Sequence, residues 1–289
     1  MITGLEAVRI GHWTDPAART GCTVLIFPEG TVASAEVRGG APASRELELL
    51  APERTVARID AAVLTGGSAF GLASADGVMR YCAEQGRGVP TPAGVVPIVP
   101  TLALYDLAVG DPDVRPGAEE GYRAAADATT DGPTHGLIGA GTGSTVGKIF
   151  GTAEPGGLRS ATVRSDDLVV TAVCAVNAFG AIDRDGAVSD DALDRSTASL
   201  RVAASFLAQQ NTTIGVVITN ARLDKVGCLR TAQGAHDGLA RAIFPPHTSG
   251  DGDAFIAAAT GEVTAPVDLV RLLALTAVER AIRSVPSAT

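Results

Sequence analysis

Hydrophobic residues along this chain fall into two recurring patterns, and the alternation between them predicts the order of its elements. Continuous apolar runs rich in β-branched residues read as buried strands. These are CTVLIF (Cys22 to Phe27), AAVLT (Ala61 to Thr65), DLVVTAVCAVNAFG (Asp167 to Gly180) and the stretch Ile214 to Asn220. Runs with apolar residues three and four apart read as amphipathic helices. They are AFGLASADGVMRYCAEQG ending at Gly86, GAEEGYRAAADA, STASLRVAASFLAQQ ending at Gln210, LDKVGCLRTAQGAHDGLARAIF and VDLVRLLALTAVERAIRSV. Between the last two helices, DAFIAAAT predicts one more short strand. Neighbouring elements of both kinds imply a layered α/β domain, and no internal repeat emerges.

Composition narrows the class. Hydrophobic residues make up 46% of the chain, charged residues 19% and aromatics 4%, which suits a core of Ala, Val, Leu and Ile and opposes disorder. The longest apolar runs are too short to span a bilayer. The N-terminal MITGLEAVRIGHWTDP lacks the basic-then-apolar order of a secretion signal, so a cytoplasmic protein with no membrane partner is expected. A formal net charge of −9 argues against a nucleic-acid binder, which needs a basic stripe to replace phosphate counterions. Cys22, Cys82, Cys174 and Cys228 are widely spaced and form no CxxC pair. They are expected as buried free thiols rather than a disulfide framework or a zinc site, and no cofactor is expected.

Two Gly- and Pro-rich stretches, RGVPTPAGVVPIVPTLALYDLAVGDPDVRPG and GPTHGLIGAGTGSTVGKIFGTAEPGG, are longer than connectors need and carry little charge. They read as functional loops. The second approaches a phosphate-binding loop and fails it. Three residues rather than four separate Gly143 from the Gly147-Lys148 pair, and Ile149 stands where a Ser or Thr would hold magnesium. A glycine-rich turn can still aim backbone N–H groups at an oxyanion. In TGGSAFG (Thr65 to Gly71), Phe70 stands where a nucleophile elbow needs Gly, which leaves Ser68 as a helix cap. Lys148 is one of only two lysines among 23 basic residues, the other being Lys225. A lysine among glycines can approach a substrate closely, and burial can lower its pKa.

His12, His135, His236 and His247 show no paired-ligand spacing, so no metal site is expected. HTSGDGDAF (His247 to Phe255) sets Asp251 and Asp253 two apart at the expected start of a strand. Both carboxylates would share one face if the strand begins at Asp251. The run does not complete a calcium loop, and on spacing alone an Asp-Gly turn is the simpler reading.

Where the third helical run gives way to Ile214, Asn211-Thr212-Thr213 admits three readings. It can be a turn, since Asn tolerates left-handed backbone. It matches a glycosylation acceptor, which has no use in a cytosolic chain. It can also be a bond the protein cuts itself. A Thr hydroxyl attacks the preceding carbonyl, an ester forms by N→O acyl shift, and water releases a new N-terminal Thr whose amine serves as a local base. The tripeptide alone does not decide among them.

Six segments taken in order do carry a resemblance: LTGGSAFGLASADGVMRY, VPIVPTLALYDL, GAGTGSTVGK, AVNAFG, QNTTIGVVITNA and HTSGDGDAFIAAAT. With them the chain resembles, over nearly its whole length, the L-aminopeptidase/D-esterase family, which includes β-aminopeptidases and 6-aminohexanoate (nylon) oligomer hydrolases. The resemblance implies a single four-layer αββα domain over residues 1–289, of the N-terminal-nucleophile kind. It implies a precursor that cuts itself at Asn211–Thr212 into chains 1–211 and 212–289. Thr212 would be the nucleophile, with Thr213 as a supporting hydroxyl. Asn177 and glycine-loop amides, Gly143 among them, would form the oxyanion site, with Tyr105 beside the substrate. Lys148 would belong to the catalytic group, and Asp251 and Asp253 would be the carboxylate pair behind the nucleophile. Asp at both positions together with a Thr nucleophile is closer to the nylon-oligomer branch than to the Ser-type aminopeptidases. The family also implies a small peptide or amide substrate and a homo-oligomer, a tetramer of cleaved units.

Three functions stand as expectations. The first is a self-processing N-terminal-threonine amidohydrolase or aminopeptidase acting on small peptides or short amide oligomers. The second is an acyltransferase of the ornithine acetyltransferase type, which shares the architecture and the self-cleavage. The third is an uncleaved, non-catalytic relative that binds a small amine or peptide.

Overall fold

In the computed structural model, which describes residues 2–186, 188–203 and 211–285, the continuous apolar runs become the central strands of two sheets. The first half of the chain contributes β1 (Arg9–Asp15), β2 (Thr20–Ile26), β3 (Val32–Val37), β4 (Ala43–Arg45), β5 (Ala61–Thr65) and β6 (Thr101–Ala103). The second contributes β7 (Leu158–Ser165), β8 (Leu168–Ala175), β9 (Ile214–Ala221) and β10 (Ala254–Val263). They pair as two five-stranded sheets of order β1-β2-β5-β6-β4 and β7-β8-β9-β10-β3.

Both sheets follow one pattern of strand directions. Reading across each, the pairings are antiparallel, antiparallel, parallel and antiparallel. A parallel pair needs a crossover, and a helix supplies it in each case. β5 reaches β6 through α1 (Ser68–Gly71) and α2 (Ser74–Glu84), and β9 reaches β10 through α5 (Lys225–Ala242). β3 and β4 are neighbours in the chain yet edge opposite sheets, which clasps the two halves together.

α2 and α3 (Ala118–Ala126) cover the outer face of the first sheet, and α5 and α6 (Val267–Arg283) cover that of the second. The result is a four-layer αββα sandwich with three apolar interfaces. Leu25, Leu64 and Leu102 meet Val173, Ile218 and Ile256 between the sheets. Val78 and Cys82 pack on Val24 and Val63, while Cys228, Leu239 and Val278 pack on Val170 and Phe255. The central strands β2, β5, β8 and β9 are buried along their whole length, which is why their sequences show no polar alternation. Truncating a large apolar side chain in such layers to Ala costs roughly 2–5 kcal/mol. The four cysteines are free and buried. Among the described residues no helix is long and apolar enough to cross a membrane.

The elements depart from the sequence reading in five places. The helix expected through Gly86 is broken: α1 ends at Gly71 and α2 starts at Ser74. The link tightens through bonds from Leu72 to Ala69 and from Ala73 to Phe70, and Gly71 fits there because a Cβ would lie 1.9 Å from the Gly66 carbonyl oxygen. Ser68 is no cap. It opens α1 in left-handed backbone, φ 53°, with no side-chain capping bond. The strand read as Asp167 to Gly180 stops at Ala175, and the one read from Asp253 starts at Ala254. The helix read as ending at Gln210 is α4 (Asp190–Ala203); it begins six residues early, with Asp190 and Asp191 at its positive N-terminus. Residues 204–210 of that reading lie outside the described residues.

Candidate active site

The site grows from the register of β9 against β10. Their parallel pairing, Ile214 with Ala254 through Thr219 with Ala259, continues beyond both strands to a last parallel bridge between Asn211 and Asp251. That extension lays Asn211-Thr212-Thr213 along Asp251-Gly252-Asp253. The Gly252 N–H donates to the Asn211 carbonyl at 3.1 Å and the Ala254 N–H to the Thr213 carbonyl at 3.3 Å. Thr212, 4% exposed, donates its N–H to the Asn177 carbonyl at 2.7 Å. Its Oγ1 donates to the carbonyl oxygen of Asn211. The Asn211 carbonyl thus receives two donors, one of them the hydroxyl of the next residue. Gly252 leaves room for this contact: a Cβ there would lie 2.7 Å from Thr212 Oγ1 and 2.7 Å from the Ala41 carbonyl oxygen.

Asp251 and Asp253 are each 2% exposed. They stand in the turn ahead of β10, which starts only at Ala254, so they are not placed by alternation along that strand. Asp251 Oδ2 accepts from Thr248 N–H at 2.9 Å and Thr248 Oγ1 at 2.5 Å, and its Oδ1 from Phe179 N–H at 3.2 Å. Asp253 Oδ1 accepts from Thr213 N–H at 2.7 Å, and its Oδ2 faces His247 Nδ1 at 2.8 Å. Burial, and after it the charge of Asp253, pushes the Asp251 carboxyl above the usual carboxylate range.

Asn177 and Lys148 form the facing wall. Once β8 has ended, the Val176 N–H still pairs with the Gly157 carbonyl, and Asn177 turns out of the sheet. Its Oδ1 accepts from Lys148 Nζ at 2.9 Å and from Thr145 N–H at 2.9 Å, and its Nδ2 donates to the Tyr105 carbonyl at 3.0 Å. Lys148 starts a short 3-10 turn after left-handed Gly147, φ 79°, and also donates to the Thr145 carbonyl at 3.0 Å. The carbonyls of Asn177 and Ala178 stand 3.4 Å from its Nζ. Burial lowers the Lys148 ammonium from its ordinary 10.5 to about 7, against the pull of Asp251 and Asp253.

The structure gathers six of the residues named from the sequence: Lys148, Asn177, Thr212 and Asn211 are linked by hydrogen bonds, Asp253 joins through Thr213, and Asp251 lies across the last bridge from Asn211. Tyr105 joins through its backbone carbonyl. Gly143 lies deeper in the loop, where a Cβ would meet the Arg19 carbonyl oxygen at 2.0 Å and Asp106 Cβ at 2.7 Å. Asp106 escaped the sequence reading. It is 3% exposed, accepts from Gly67 N–H and Thr20 Oγ1, both at 2.7 Å, and ties the turn after β5 to the turn between β1 and β2. Burial raises its carboxyl. The signal was present: Asp106 is the one charged residue between Arg87 and Asp111. His247 was missed as a partner of Asp253 because it was tested only as a metal ligand.

A hydroxyl beside a polarised amide carbonyl, a buried pair of carboxyl groups of which Asp251 is pushed above the usual range, and an amine lowered by burial to about 7 make a set suited to acyl transfer onto oxygen. The sequence profile of Peptidase family S58 matches residues 1–289. A Mycobacterium leprae (strain TN) protein named an uncharacterized aminopeptidase is 42% identical, over 93% of this chain and 81% of that protein. A 6-aminohexanoate-oligomer endohydrolase of Agromyces sp. (strain KY5R) is 29% identical, over 90% of this chain and 74% of that protein. Among solved structures, a Burkholderia sp. beta-aminopeptidase matches with a TM-score of 0.70 at 22% identity, covering 96% of this chain and 83% of that one. The L-aminopeptidase D-Ala-esterase/amidase from Ochrobactrum anthropi, described as a variant of the Ntn hydrolase fold, matches with a TM-score of 0.69 at 18% identity, covering 96% and 83%. These two likenesses establish the fold. With the profile spanning the whole chain and a relative sharing more than two fifths of its residues, the chain belongs to peptidase family S58 and is a hydrolase of amide bonds.

Proposed function

We propose that this protein is a self-processing N-terminal-threonine amidohydrolase acting on small peptides or short amide oligomers with a free amino end. One observation carries the reading: the Thr212 hydroxyl donates to the carbonyl oxygen of the residue before it, and that same oxygen accepts the Gly252 N–H.

In the precursor, Thr212 Oγ attacks the Asn211 carbonyl carbon, and the Gly252 N–H stabilises the oxygen as it becomes negative. The C–N bond breaks, the Thr212 nitrogen takes up a proton, and an ester links Asn211 to the Thr212 oxygen. Water then hydrolyses the ester to a carboxylate at Asn211 and a free hydroxyl and amine at Thr212. In the mature enzyme the Thr212 hydroxyl gives its proton to the adjacent α-amine while its oxygen attacks the substrate carbonyl. Asn177 Nδ2 is assigned to the developing oxyanion, through the N–H not given to the Tyr105 carbonyl. Asp251 delivers a proton to the leaving amine, and water releases the acyl group. Lys148 keeps the Asn177 amide oriented by holding its Oδ1.

The Asp251 and Asp253 pair with a Thr nucleophile supports a substrate range toward amide oligomers, and a relative at 29% identity bears the name of an oligomer endohydrolase. Four free buried cysteines support a reducing, cytoplasmic setting. A homo-oligomer of cleaved units belongs to the same proposal and is read from native mass.

The test is the intact mass of the purified protein beside Thr212→Ala. Scaled by length from 29.1 kDa, processing produces chains of about 21 and about 8 kDa, absent from the variant. Amide hydrolysis is then assayed on peptides and 6-aminohexanoate oligomers. A chain that stays whole for days and cleaves no amide overturns the reading.

A further inference from the structure

Behind the carboxylate pair stand two histidines that the chemistry above does not use. His247 Nδ1 lies 2.8 Å from Asp253 Oδ2, with the His247 side chain 16% and the Asp253 side chain 3% exposed. An ionised carboxylate only accepts hydrogen bonds, so Nδ1 carries the proton. His236 meets the His247 ring edge-on, centroids 4.9 Å apart, and its Nε2 lies 2.9 Å from the Glu36 carbonyl. A carbonyl likewise only accepts, which sets the His236 proton on Nε2. Burial lowers the His236 pKa to about 4, so this ring is neutral near pH 7.

The backbone at His247 is left-handed, φ 51°, a conformation that side chains other than Gly, Asn and Asp adopt reluctantly. That turn has a consequence in the site. It aims two successive residues at the two carboxylates, His247 at Asp253 and Thr248, by N–H and hydroxyl, at Asp251. The other oxygen of Asp253 takes the Thr213 N–H at 2.7 Å, one residue beyond Thr212. A single line of contacts therefore runs from His247 through Asp253 and Thr213 to Thr212.

We propose that His247 is a positioning residue: its Nδ1–H fixes the orientation of the Asp253 carboxylate, which fixes Thr213 N–H and with it the direction of the Thr212 hydroxyl. The proposal rests on the reading of Thr212 as nucleophile. His247 touches none of the reacting atoms and acts through Asp253. Without it the carboxylate keeps its bond to Thr213 and loses the one that stops it rotating. A displacement of about 1 Å at a reacting centre costs on the order of 100-fold in rate.

His247→Gly and His247→Asn separate the side chain from the backbone. Both residues accept the left-handed turn, and only Asn retains an N–H donor near the position of Nδ1. The measurements are kcat and KM of each mature enzyme on an amino-acid p-nitroanilide. The expected result is a kcat lower by roughly 10- to 100-fold for His247→Gly with KM changed by less than about twofold, and His247→Asn within about fivefold of wild type. Wild-type kcat in the Gly variant, or an Asn variant as impaired as Gly, overturns the role. Nitrogen-15 NMR of the wild-type imidazole serves where the Gly variant fails to fold. A protonated Nδ1 on His247 that shifts in Asp253→Asn supports the proposal, and a ring protonated only on Nε2 overturns it. Wild type that neither cuts itself nor hydrolyses amides sinks the Thr212 reading, whereas an active wild type beside an equally active Gly variant sinks the His247 role alone.

Discussion

The Asn177 carbonyl oxygen accepts the Thr212 N–H at 2.7 Å, so the residue expected to serve by its side chain also grips the candidate nucleophile by its backbone. The grip is available because β8 stops at Ala175 and releases Asn177 from the sheet toward the end of β9. In the self-cleavage proposed above, the same carbonyl would face the new Thr212 amine and orient it as the local base. Asn177 in turn is held by Lys148 Nζ at 2.9 Å. The candidate nucleophile, by its backbone N–H, and the lysine are thus joined through Asn177.

Lys148 makes the stability of the protein depend on pH in a defined direction. Its folded pKa is about 7 and its ordinary value 10.5. Below pH 7 both folded and unfolded chains carry the proton, and the cost of the buried ammonium is fully present. Between about 7 and 10.5 the unfolded chain binds more protons, so this cost fades and stability rises with pH. The difference in Tm, wild type minus Lys148→Met, should therefore increase from about pH 6 to about pH 9 in thermal melts. A difference that stays flat would mean that the four surrounding carbonyl and amide oxygens hold the lysine charged.

Gly252→Ala tests the space around Thr212. The new Cβ would fall 2.7 Å from Thr212 Oγ1 and 3.1 Å from Pro42 Cα, which forces the hydroxyl away from the Asn211 carbonyl. Self-cleavage, followed by mass over days, and amide hydrolysis should each drop by on the order of 100-fold, while circular dichroism remains that of the folded protein. Normal processing in this variant would show that Thr212 does not react from the position it holds here.

Lys225 is the counter-example to Lys148. Its Nζ donates to the carbonyls of Leu49, Arg54 and Val56 at 3.0, 2.9 and 3.0 Å, fastening the loop between β4 and β5 to the first turn of α5. Lys225→Met strands those acceptors and should cost about 1–3 kcal/mol, a drop of several degrees in Tm. Activity per folded molecule should stay at the wild-type level, because no atom of Lys225 is among the contacts of Thr212. A variant that melts normally and loses activity would give this lysine a role in the site.

Much of the fold was legible in the apolar pattern. β5 matches its predicted ends, and β2, β8 and β9 match in their cores, because strands buried on both faces are written as unbroken Val, Ile, Leu and Ala runs. The edge strands β1, β3 and β7 were not. Their residues are largely half-exposed, so sequences such as RSATVRS carry no buried-strand signature. The likeness of direction pattern between the two sheets was equally invisible, since it lies in backbone pairing and leaves no repeated residues.

The candidate site divides the same way. The sequence by itself determined the chemistry on offer: a Thr that follows Asn at the mouth of a buried strand, an Asp-Gly-Asp turn, an Asn at the end of another strand, and one lysine set among glycines. Its ordered motifs were also enough to suggest the family. Only the tertiary structure decided that these groups meet, because Asn177, Thr212 and Asp251 lie far apart in the chain and are joined by the register of β8, β9 and β10. It also decided how each is held. Hydrogen-bond roles and pKa shifts depend on burial and on partners a few ångströms away, and a linear sequence does not contain those distances. His247, read only for metal spacing, became the neighbour of Asp253 for that reason, and Lys148 and Lys225, alike in the sequence, parted into a residue of the site and a residue of the scaffold.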